Sequence, residues 1–485
     1  MPVDACYRAD PRYLELGEGF ADPVTPAEFP RRTLRFRNDA WASRVGLAGL
    51  AGDEWERHFA RFAPLPGNLE APLAMRYHGH QFMSYNPGLG DGRGFLFAQL
   101  RDAVDGRLLD LGTKGSGTTP YSRGGDGRLT LKGGVRELLA TEQLEALGVT
   151  TSKTLSLYET GEALHRGDEP SPTRSSVLVR LSHSHLRYGS FQYHAYHRDA
   201  RRLAALVEHA RAYYLPEVTG SDIQAQAIAL LAATSRRAGV LCAQWMVAGF
   251  VHGVLNTDNM NLTGESFDYG PYRLLPTYDL GFTAAYFDHT GLYCYGRQPH
   301  TALWNLERLA DCLLPLGCSE GALGRALTEF EPAFIDAVGR GFLERLGVAS
   351  RGADEDAALV DACYAYLGAS ACPLDRFFFD WYGGVASERR ALAGPGAAGY
   401  RGDAFAELRG RLDPYEPRPD ARLDDPYFAG DGPCSLLIDE IEAIWAAIAE
   451  RDDWAPLERK VASIRRFAAL HGRGLGRLED ARELE

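Results

Sequence analysis

The 485-residue sequence lacks several features that would assign it to a large class of proteins. It has no run of the roughly 18 apolar residues that a membrane-spanning helix needs. A formal net charge of −13 leaves no excess of basic residues, which argues against a general nucleic-acid binder. The eight cysteines include no C-x-x-C pair, which argues against a zinc site or a disulfide framework. We therefore expect a cytoplasmic protein whose partners include neither membrane nor nucleic acid.

The composition otherwise suits a globular protein with a sizeable core, since hydrophobic residues make up 45% and charged residues 24% of the chain. No internal repeat is visible, and the length permits two or three domains or a two-lobed fold with additions. The function must therefore be sought in short motifs.

The most informative stretch lies near the middle of the chain, between His252 and Gly270. His252 and Asn259 have the spacing of the first and last residues of the kinase catalytic loop, H-R-D-x-x-x-x-N. Asp268, Tyr269 and Gly270 then stand in for the Asp-Phe-Gly motif, whose aspartate binds magnesium. The pattern predicts that Asn259 and Asp268 bind a Mg²⁺ ion that accompanies a nucleotide.

One kinase residue is missing from this stretch. Where a kinase has the aspartate that accepts the substrate hydroxyl proton, this chain has Val254, which can neither take a proton nor bind a metal. An acidic group returns four residues later as Asp258, beside Asn259. The sequence therefore indicates a site that holds a metal-bound nucleotide without the usual base for phosphoryl transfer.

Candidate phosphate-binding groups precede this stretch. Between two predicted strands, Gly90, Gly92 and Arg93 belong to a Gly-rich turn whose backbone N–H groups can approach phosphate closely. A tight hairpin with glycine at positive φ is the alternative interpretation. Lys114 ends a short strand and Glu137 lies in an amphipathic helix, the order that a kinase uses for its phosphate-binding lysine and the glutamate orienting it. An ordinary loop cation and an exposed helix carboxylate are the respective alternatives.

Further polar groups lie near these positions in the sequence. A Gly-rich insert at residues 119–128, which an ordinary kinase does not have at this point, carries Asp126, a potential acceptor for a base or ribose. Arg180 and Arg187 lie at and beyond the end of a predicted strand, and their guanidinium groups suit phosphate oxygens. A surface turn and surface ion pairs are the alternatives, and the spacing alone does not choose between them.

Hydrophobic periodicity divides the chain into a strand-rich first part and a helical second part, which predicts an α+β fold. Residues 1–70 are predicted to be an irregular lead-in with short helices, and residues 71–190 to hold the strands with one amphipathic helix. Long helices are predicted at residues 199–215, 223–250, 301–314, 320–346 and 354–367, with a final helical section at residues 435–470.

Seven motifs in register closely resemble the selenoprotein O family, also called the SelO or YdiU family. They follow one another in the family's order over about residues 75 to 310, which makes the match highly specific. The motifs are Gly90-Asp91-Gly92-Arg93, Lys114-Gly115-Ser116-Gly117, Thr119-Pro120-Tyr121-Ser122-Arg123, Gly125-Asp126-Gly127-Arg128, Ser184-His185-Leu186-Arg187, His252-Gly253-Val254-Leu255-Asn256-Thr257-Asp258-Asn259-Met260 and Asp268-Tyr269-Gly270-Pro271.

The resemblance implies a protein-kinase-like two-lobed fold with a mixed β-sheet N-lobe at residues 71–190 and a mainly helical C-lobe at residues 191–375. A divergent helical extension is expected at residues 376–485. The family transfers AMP from ATP to Ser, Thr or Tyr hydroxyls of proteins, because its nucleotide lies flipped relative to a kinase and pyrophosphate leaves. The expected substrates are therefore ATP and proteins, with Mg²⁺, or alternatively Mn²⁺, as the cofactor.

The resemblance also implies a role for individual residues. Asp258 resembles the family's proton acceptor, with Lys114 and Glu137 completing the catalytic set, while Asn259 and Asp268 resemble its Mg²⁺ ligands. The implied nucleotide-binding residues are Gly90, Gly92, Arg93, Lys114, Asp126, Gly127, Arg180 and Arg187.

Other functions stay open on sequence grounds. Among enzymes, these are UMP transfer from UTP, ordinary phosphotransfer to protein and phosphorylation of small molecules, and Val254 counts against the last two. A nucleotide-binding scaffold without catalysis is an alternative from a different class. Four retained residues count against it, since a pure scaffold has no need of Lys114, Glu137, Asn259 and Asp268 together.

Overall fold

The computed structural model describes residues 3–167 and 169–472 as a mixed α+β protein, with strands concentrated in the first part and helices in the second. The strands are β1 (Ala21–Pro23), β2 (Thr33–Arg37), β3 (Leu73–Met75), β4 (Gly79–Gln81), β5 (Ser84–Asn86), β6 (Leu96–Arg101), β7 (Leu108–Lys114), β8 (Leu129–Thr130), β9 (Lys153–Leu164), β10 (Thr173–Ser182), β11 (Phe250–Val251) and β12 (Arg273–Leu274). The helices are α1 (Asp39–Arg44), α2 (Gly52–Phe59), α3 (Leu131–Ala146), α4 (Tyr188–Tyr196), α5 (Ala200–Tyr213), α6 (Ile223–Ala248), α7 (Gln298–Asp311), α8 (Glu320–Leu327), α9 (Phe330–Leu346), α10 (Ala353–Ala369), α11 (Leu374–Asp380), α12 (Glu388–Ala393), α13 (Asp403–Leu412), α14 (Ile438–Arg451) and α15 (Ala455–Leu470).

The main sheet is antiparallel and follows the order β1-β3-β6-β7-β10-β9-β2, with β8 also pairing with β10. The strands predicted at residues 154–159 and 176–181 are confirmed, since they lie within β9 and β10. The structure differs from the prediction for residues 1–70, because β1 and β2 from this segment form the two outer strands of the sheet. This segment therefore contributes two strands to the sheet, while α1 and α2 agree with the short helices predicted there.

Alternation along the central strands decides which side chains face the helix that follows them. In β10, Val177 and Val179 pack on one face of the sheet, in the apolar cluster that includes residues of α1 and α2. Leu178 belongs to the cluster on the other face, which includes the apolar side of α3, and Arg180 shares that face by its spacing. Lys114 lies directly opposite Leu178 in the β7–β10 ladder, so it is on this face as well.

Helix α3 covers this face and approaches it closely at Gly134. A Cβ at that position would fall 2.6 Å from a methyl carbon of Leu157, so a larger residue would require the side chain of Leu157 to move. The helix begins at Thr130, whose hydroxyl accepts a hydrogen bond from a backbone N–H of the first turn. It ends before Gly148 at a φ of +84°, which confirms the predicted stop.

The prediction of one helix at residues 320–346 is wrong, because the structure has two, α8 and α9, separated at Thr328 and Glu329. Pro332 lies in the first turn of α9, where its missing N–H is not needed. In a continuous helix, its ring would clash with the carbonyl group of Thr328. The other long helices, α5, α6, α7 and α10, begin and end within a few residues of the predicted positions.

The final helices return to the first part of the molecule and pack against α3. Glu142 of α3 accepts hydrogen bonds of 2.8 Å from Nε and from Nη2 of Arg465 in α15. The next residue, Gln143, donates a 3.2 Å bond to the backbone carbonyl of Cys434. Helix α3 is therefore held between the sheet and the C-terminal helices. The predicted extension at residues 376–485 is described only as far as residue 472.

Within residues 3–167 and 169–472, none of the helices combines the length and apolar content that crossing a bilayer requires.

Candidate active site

The lysine and glutamate that the sequence pairs do meet in the structure. Lys114 ends β7 and Glu137 lies in the second turn of α3, and their Nζ and Oε2 atoms are 2.7 Å apart. The same Nζ atom lies 3.0 Å from Oδ1 of Asp268. Both partners of the first pair are buried, so the ion pair is well shielded from water. The strand, the helix and the Asp-Tyr-Gly segment therefore converge on one lysine.

Two arginines complete a group of cations around Asp268. Nη2 of Arg180 lies 3.4 Å from Oδ1 of Asp268, and Nη1 of Arg187 lies 3.8 Å from Oδ2. Burial acts to raise the pKa of Asp268, but the charges of Lys114, Arg180 and Arg187 outweigh it and hold this pKa well below its usual value. Asp268 is therefore a carboxylate at any physiological pH.

The same arginines have donors without a hydrogen-bond partner in the described chain, although Nε of Arg180 lies 3.4 Å from Oε1 of Glu137. Nε and Nη1 of Arg180 and Nε of Arg187 are buried, and no acceptor in the described chain forms a hydrogen bond with them. Buried donors of this kind are nearly always paired in a working protein, and a planar guanidinium suits phosphate oxygens. The site is therefore suited to an anionic ligand with several oxygens.

The loop between β11 and β12 carries the remaining predicted residues. Its first member, His252, is buried, and its Nε2 lies 3.2 Å from the backbone oxygen of Phe267. Burial lowers the pKa of His252, which keeps the imidazole neutral. The histidine therefore ties the start of the loop to the residue before Asp268, and its role is structural.

Asp258 and Asn259 lie in a short 3₁₀ turn and face the same site. Nδ2 of Asn259 donates a 3.3 Å hydrogen bond to Oδ2 of Asp268. The Oδ1 atoms of Asp258 and Asn259 are buried and have no hydrogen-bond partner in the described chain. Burial raises the pKa of Asp258 to about 6, although the charge of Arg187 acts in the opposite direction.

These oxygens fit a hard divalent cation. Mg²⁺ takes oxygen ligands and usually binds through one or two carboxylates, with water and substrate phosphates as its other ligands. The free Oδ1 of Asn259 and the carboxylate of Asp268 meet that description. Nowhere in the described ranges do three or more His, Cys, Asp or Glu side chains form a group that could hold a metal, so a cation bound here would take its other ligands from water and substrate phosphates.

The Gly-rich turn is held in place by the insert at residues 119–128. A Cβ at Gly90 would fall 2.3 Å from the ring of Tyr121, and one at Gly92 would fall 2.8 Å from its backbone oxygen. The hydroxyl of Thr119 donates a 2.5 Å bond to the backbone oxygen of Asp91. The insert thus braces the turn, and the two glycines are needed because the insert lies so close.

The basic residues near this turn line an open cavity with about 680 Å³ of empty volume. Its charged lining is five cations and one carboxylate, namely Arg93, Lys114, Arg128, Arg136, Arg166 and Glu169. Asp126 lies near its rim, where it forms a 2.8 Å ion pair with Arg166 and accepts a 3.0 Å bond from the N–H of Arg128. Gly127 has a φ of +68° and packs directly on the backbone of Gly117. Nucleotide binding by Asp126 and Gly127 stays a prediction.

Sequence reasoning missed three residues that shape the site. Asp91, in the Gly-rich turn, lies 3.4 Å from Nη2 of Arg187 and accepts a 3.1 Å bond from a strand N–H. Arg136 donates a 3.1 Å bond to the backbone oxygen of Tyr272 and so joins α3 to the Asp-Tyr-Gly segment. Arg166 reaches the cavity from the connection between β9 and β10. The Gly-Asp-Gly motif could have indicated Asp91, whereas no motif in the sequence indicates Arg166.

Comparison with known proteins agrees with the resemblance noted in the sequence. A family model described as "Protein adenylyltransferase SelO" matches residues 5–390. A protein from Synechocystis sp. named "Protein nucleotidyltransferase YdiU" is 44% identical over 473 residues, which cover 94% of this chain and 97% of the relative. Proteins of the same name from Gloeobacter violaceus and Trichormus variabilis are 43% and 42% identical, covering 95% and 94% of this chain and 95% of each relative.

The alignments reach well beyond residues 75 to 310, to which the seven motifs are confined. They include most of the C-terminal section, whereas the family model stops at residue 390. The match over most of the chain and the identities above 40% along almost the full length of these relatives show that the chain belongs to the SelO family of nucleotidyltransferases.

Proposed function

We propose that the protein transfers AMP from ATP to a Ser, Thr or Tyr hydroxyl of a protein, with release of pyrophosphate. One observation supports this assignment more than any other. Val254 occupies the position of the kinase base, while Asp258, beside the metal-binding pair, keeps a buried Oδ1 without a partner in the described chain. The chain therefore lacks the kinase base but has a carboxylate four residues later. A base at a different position suits attack on a phosphate other than the γ-phosphate.

The proposal includes a kinase-like arrangement of two lobes, with the sheet and α3 on one side of the nucleotide and α6 with the catalytic loop on the other. The Lys114–Glu137 pair supports it, because it joins a strand to a helix as in a kinase. The resemblance to the family adds that the nucleotide is flipped, so that its α-phosphate faces the acceptor.

The charged groups then have distinct tasks. Lys114, Arg180 and Arg187 hold the β- and γ-phosphates and stabilise the charge that develops on pyrophosphate. Glu137 fixes the ammonium group of Lys114 and lies 3.4 Å from Nε of Arg180, so it orients two of the three cations. Exposed Arg93 extends the phosphate site toward the cavity.

Asn259 and Asp268 would hold Mg²⁺, with Mn²⁺ as a substitute of similar ligand preference. When bound, the cation neutralises phosphate charge and polarises the phosphorus. Asp268 is suited to this role because the surrounding cations keep it ionised, and Asn259 because its Oδ1 is free.

In the transfer step, the acceptor hydroxyl oxygen forms a bond to the α-phosphorus while the bond from that phosphorus to the bridging oxygen of pyrophosphate breaks. The hydroxyl proton moves to the carboxylate of Asp258, and the electron pair of the broken bond leaves with pyrophosphate. Arg187 holds the backbone of Asp258 in position, since its Nη1 donates a 2.9 Å hydrogen bond to the backbone oxygen of Asp258.

The test compares the transfer of label from ³²P at the α- and at the γ-position of ATP, and from α-labelled UTP, to protein in the presence of Mg²⁺. The wild type is expected to transfer only the α-label of ATP, and Asp268→Ala to transfer none. Asp354→Ala, an exposed carboxylate in the first turn of α10, is the matched control and should behave as wild type.

Each other result refutes part of the proposal. Label from the γ-position would mean kinase chemistry in spite of Val254. Preferential labelling from UTP would replace AMP by UMP. Nucleotide binding without transfer from either nucleotide would favour the scaffold function. In that case Asp268→Ala and wild type would not differ in labelling. The cytoplasmic location belongs to the same proposal, and it is supported by the eight cysteines, all free thiols within the described chain.

A further inference from the structure

The tip of the β4–β5 hairpin holds two bulky apolar residues in a backbone conformation that such residues rarely adopt. Phe82 has a φ of +49° and Met83 a φ of +60°, both in the left-handed region. Asn and Gly are the usual residues at the two central positions of such a turn, because other side chains are strained there. The side chains of Phe82 and Met83 are nevertheless 41% and 39% exposed. The Phe82 ring packs on the buried ring of Tyr293, with ring centroids 5.1 Å apart, but much of both side chains still faces solvent.

This hairpin is anchored to the loop that carries Asp258. The N–H of His80 donates a 2.7 Å bond to the hydroxyl of Thr257, and the N–H of Phe82 donates a 3.2 Å bond to Oδ1 of Asn256. Gly79 lies so close to Asp258 that a Cβ there would fall 2.7 Å from its Oδ1. The position of the hairpin tip relative to Asp258 is therefore fixed.

A second segment brings two more exposed aromatic residues to the same place. Tyr286 is 78% exposed and Phe287 is 40% exposed, and the ring centroids of Phe287 and Phe82 are 5.9 Å apart. This segment also contacts the catalytic loop, because Ala284 packs against Gly253. The four side chains, Phe82, Met83, Tyr286 and Phe287, form one exposed surface on two segments that are anchored to the loop of Asp258, and we call it the apolar platform.

We propose that the apolar platform binds the acceptor protein, through an apolar side chain close to the hydroxyl that receives the nucleotide. This inference rests on the proposed function and names the class of substrate that the site selects. A hydroxyl that reaches Asp258 must bring its flanking residues past the surface that borders the loop. Aromatic residues and methionine are enriched in protein interfaces, and exposed apolar patches mark them.

The turn offers a substitution that removes the platform and keeps the hairpin. Phe82→Asn with Met83→Gly provides the Asn-Gly pair that this turn favours, so the backbone of the hairpin is expected to be kept although the ring contacts of Phe82 with Tyr293 and Phe287 are lost. Tyr286→Ser with Phe287→Ser removes the other half. Ile335→Ser is the matched control, since Ile335 is 59% exposed on α9, a different element.

The probe is a positional-scanning library of short peptides with one central Ser, incubated with Mg²⁺ and α-³²P-ATP. Wild type and Ile335→Ser should label peptides with Leu, Phe or Met next to the Ser more strongly than those with Glu or Lys. Both platform variants should lose this preference, with kcat/KM for the apolar peptides about tenfold lower through KM, the size expected for truncated interface anchors. Their affinity for a fluorescent ATP analogue should stay that of wild type.

The outcomes separate this inference from the proposed function. Platform variants that label every peptide as wild type does would overturn the inference and leave AMP transfer intact. The same holds if wild type elutes as a dimer, the platform variants elute as monomers and labelling is unchanged, because a second copy of the chain would then cover the platform. A wild type that binds nucleotide but transfers no α-label to any peptide or protein would overturn both.

Discussion

The contact between Arg465 and Glu142 allows the influence of the C-terminal helices on the active site to be measured. Glu142 lies one and a half turns beyond Glu137 on α3, and its side chain is only 7% exposed. Removing one partner of a fully buried ion pair costs about 3 to 5 kcal/mol, and an exposed pair contributes about 1 kcal/mol or less. Arg465 is 43% exposed, so Arg465→Ala is expected to cost about 1 to 2 kcal/mol.

The assay is a double-mutant cycle with Arg465→Ala, Glu142→Gln and both together, in which the free energy of unfolding is measured by denaturant titration. The loss of stability in the double variant should differ from the sum of the two single losses by a coupling energy of about 1 kcal/mol. Arg465→Ala should also increase hydrogen exchange of the α3 amides and lower the transfer rate, because Glu137 then orients Lys114 less well. Arg466→Ala is the control, since Arg466 is exposed and forms no hydrogen bond or ion pair within the described ranges. A coupling energy below about 0.3 kcal/mol, or an unchanged α3, would refute the reasoning.

Three further predictions concern single residues. Lys114→Met should lower the transfer rate about 10²- to 10³-fold in a label-transfer assay, the usual cost of losing one group that stabilises developing charge, and a smaller loss would contradict its proposed role. Gly90→Ala should weaken nucleotide binding about tenfold in a fluorescence titration, because the new Cβ would lie 2.3 Å from the ring of Tyr121, whereas Gly324→Ala on an exposed turn of α8 should not. Burial raises the pKa of Glu265 from 4.5 to about 7, so the folded protein binds this proton more tightly and loses stability as the pH rises through that range. Glu265→Gln should therefore be about 3 kcal/mol more stable than wild type near pH 8 and no more stable near pH 4 in denaturant titrations, and identical pH profiles would show that Glu265 is not the cause.

The sequence predicted which residues converge in the candidate site, because the motifs fix the spacing of these residues. Asn259 follows His252 at the kinase distance, and the order of the strand lysine and the helix glutamate is that of a kinase. Lys114 and Glu137 come within 2.7 Å of each other because of the side-chain alternation of β7 and the close approach of α3. Both features are visible in the local sequence pattern. The contact of Asp91 with Arg187 could not be predicted from spacing, since only the folded turn brings the two residues together.

The sequence failed where long-range pairing decides the structure. Strand β1 has three residues and includes Pro23, so nothing local distinguishes it from a loop. Its pairing with Met75 and its neighbours supplies what its own composition lacks. The break between α8 and α9 could have been predicted, because a proline such as Pro332 is disfavoured in the middle of a helix. The apolar periodicity continues on both sides of the break and indicated one helix instead.

The two outer strands protect the sheet against association with other molecules. Edge strands expose backbone groups that can pair with a second chain, and short length, proline and charge reduce this hazard. Strand β1 is short and contains Asp22 and Pro23, while β2 carries Arg35 and Arg37. Without residues 21–37, the twelve-residue strand β9 and the strand β3 would become the edges. The N-terminal segment therefore protects the edges of the sheet against pairing with a second chain.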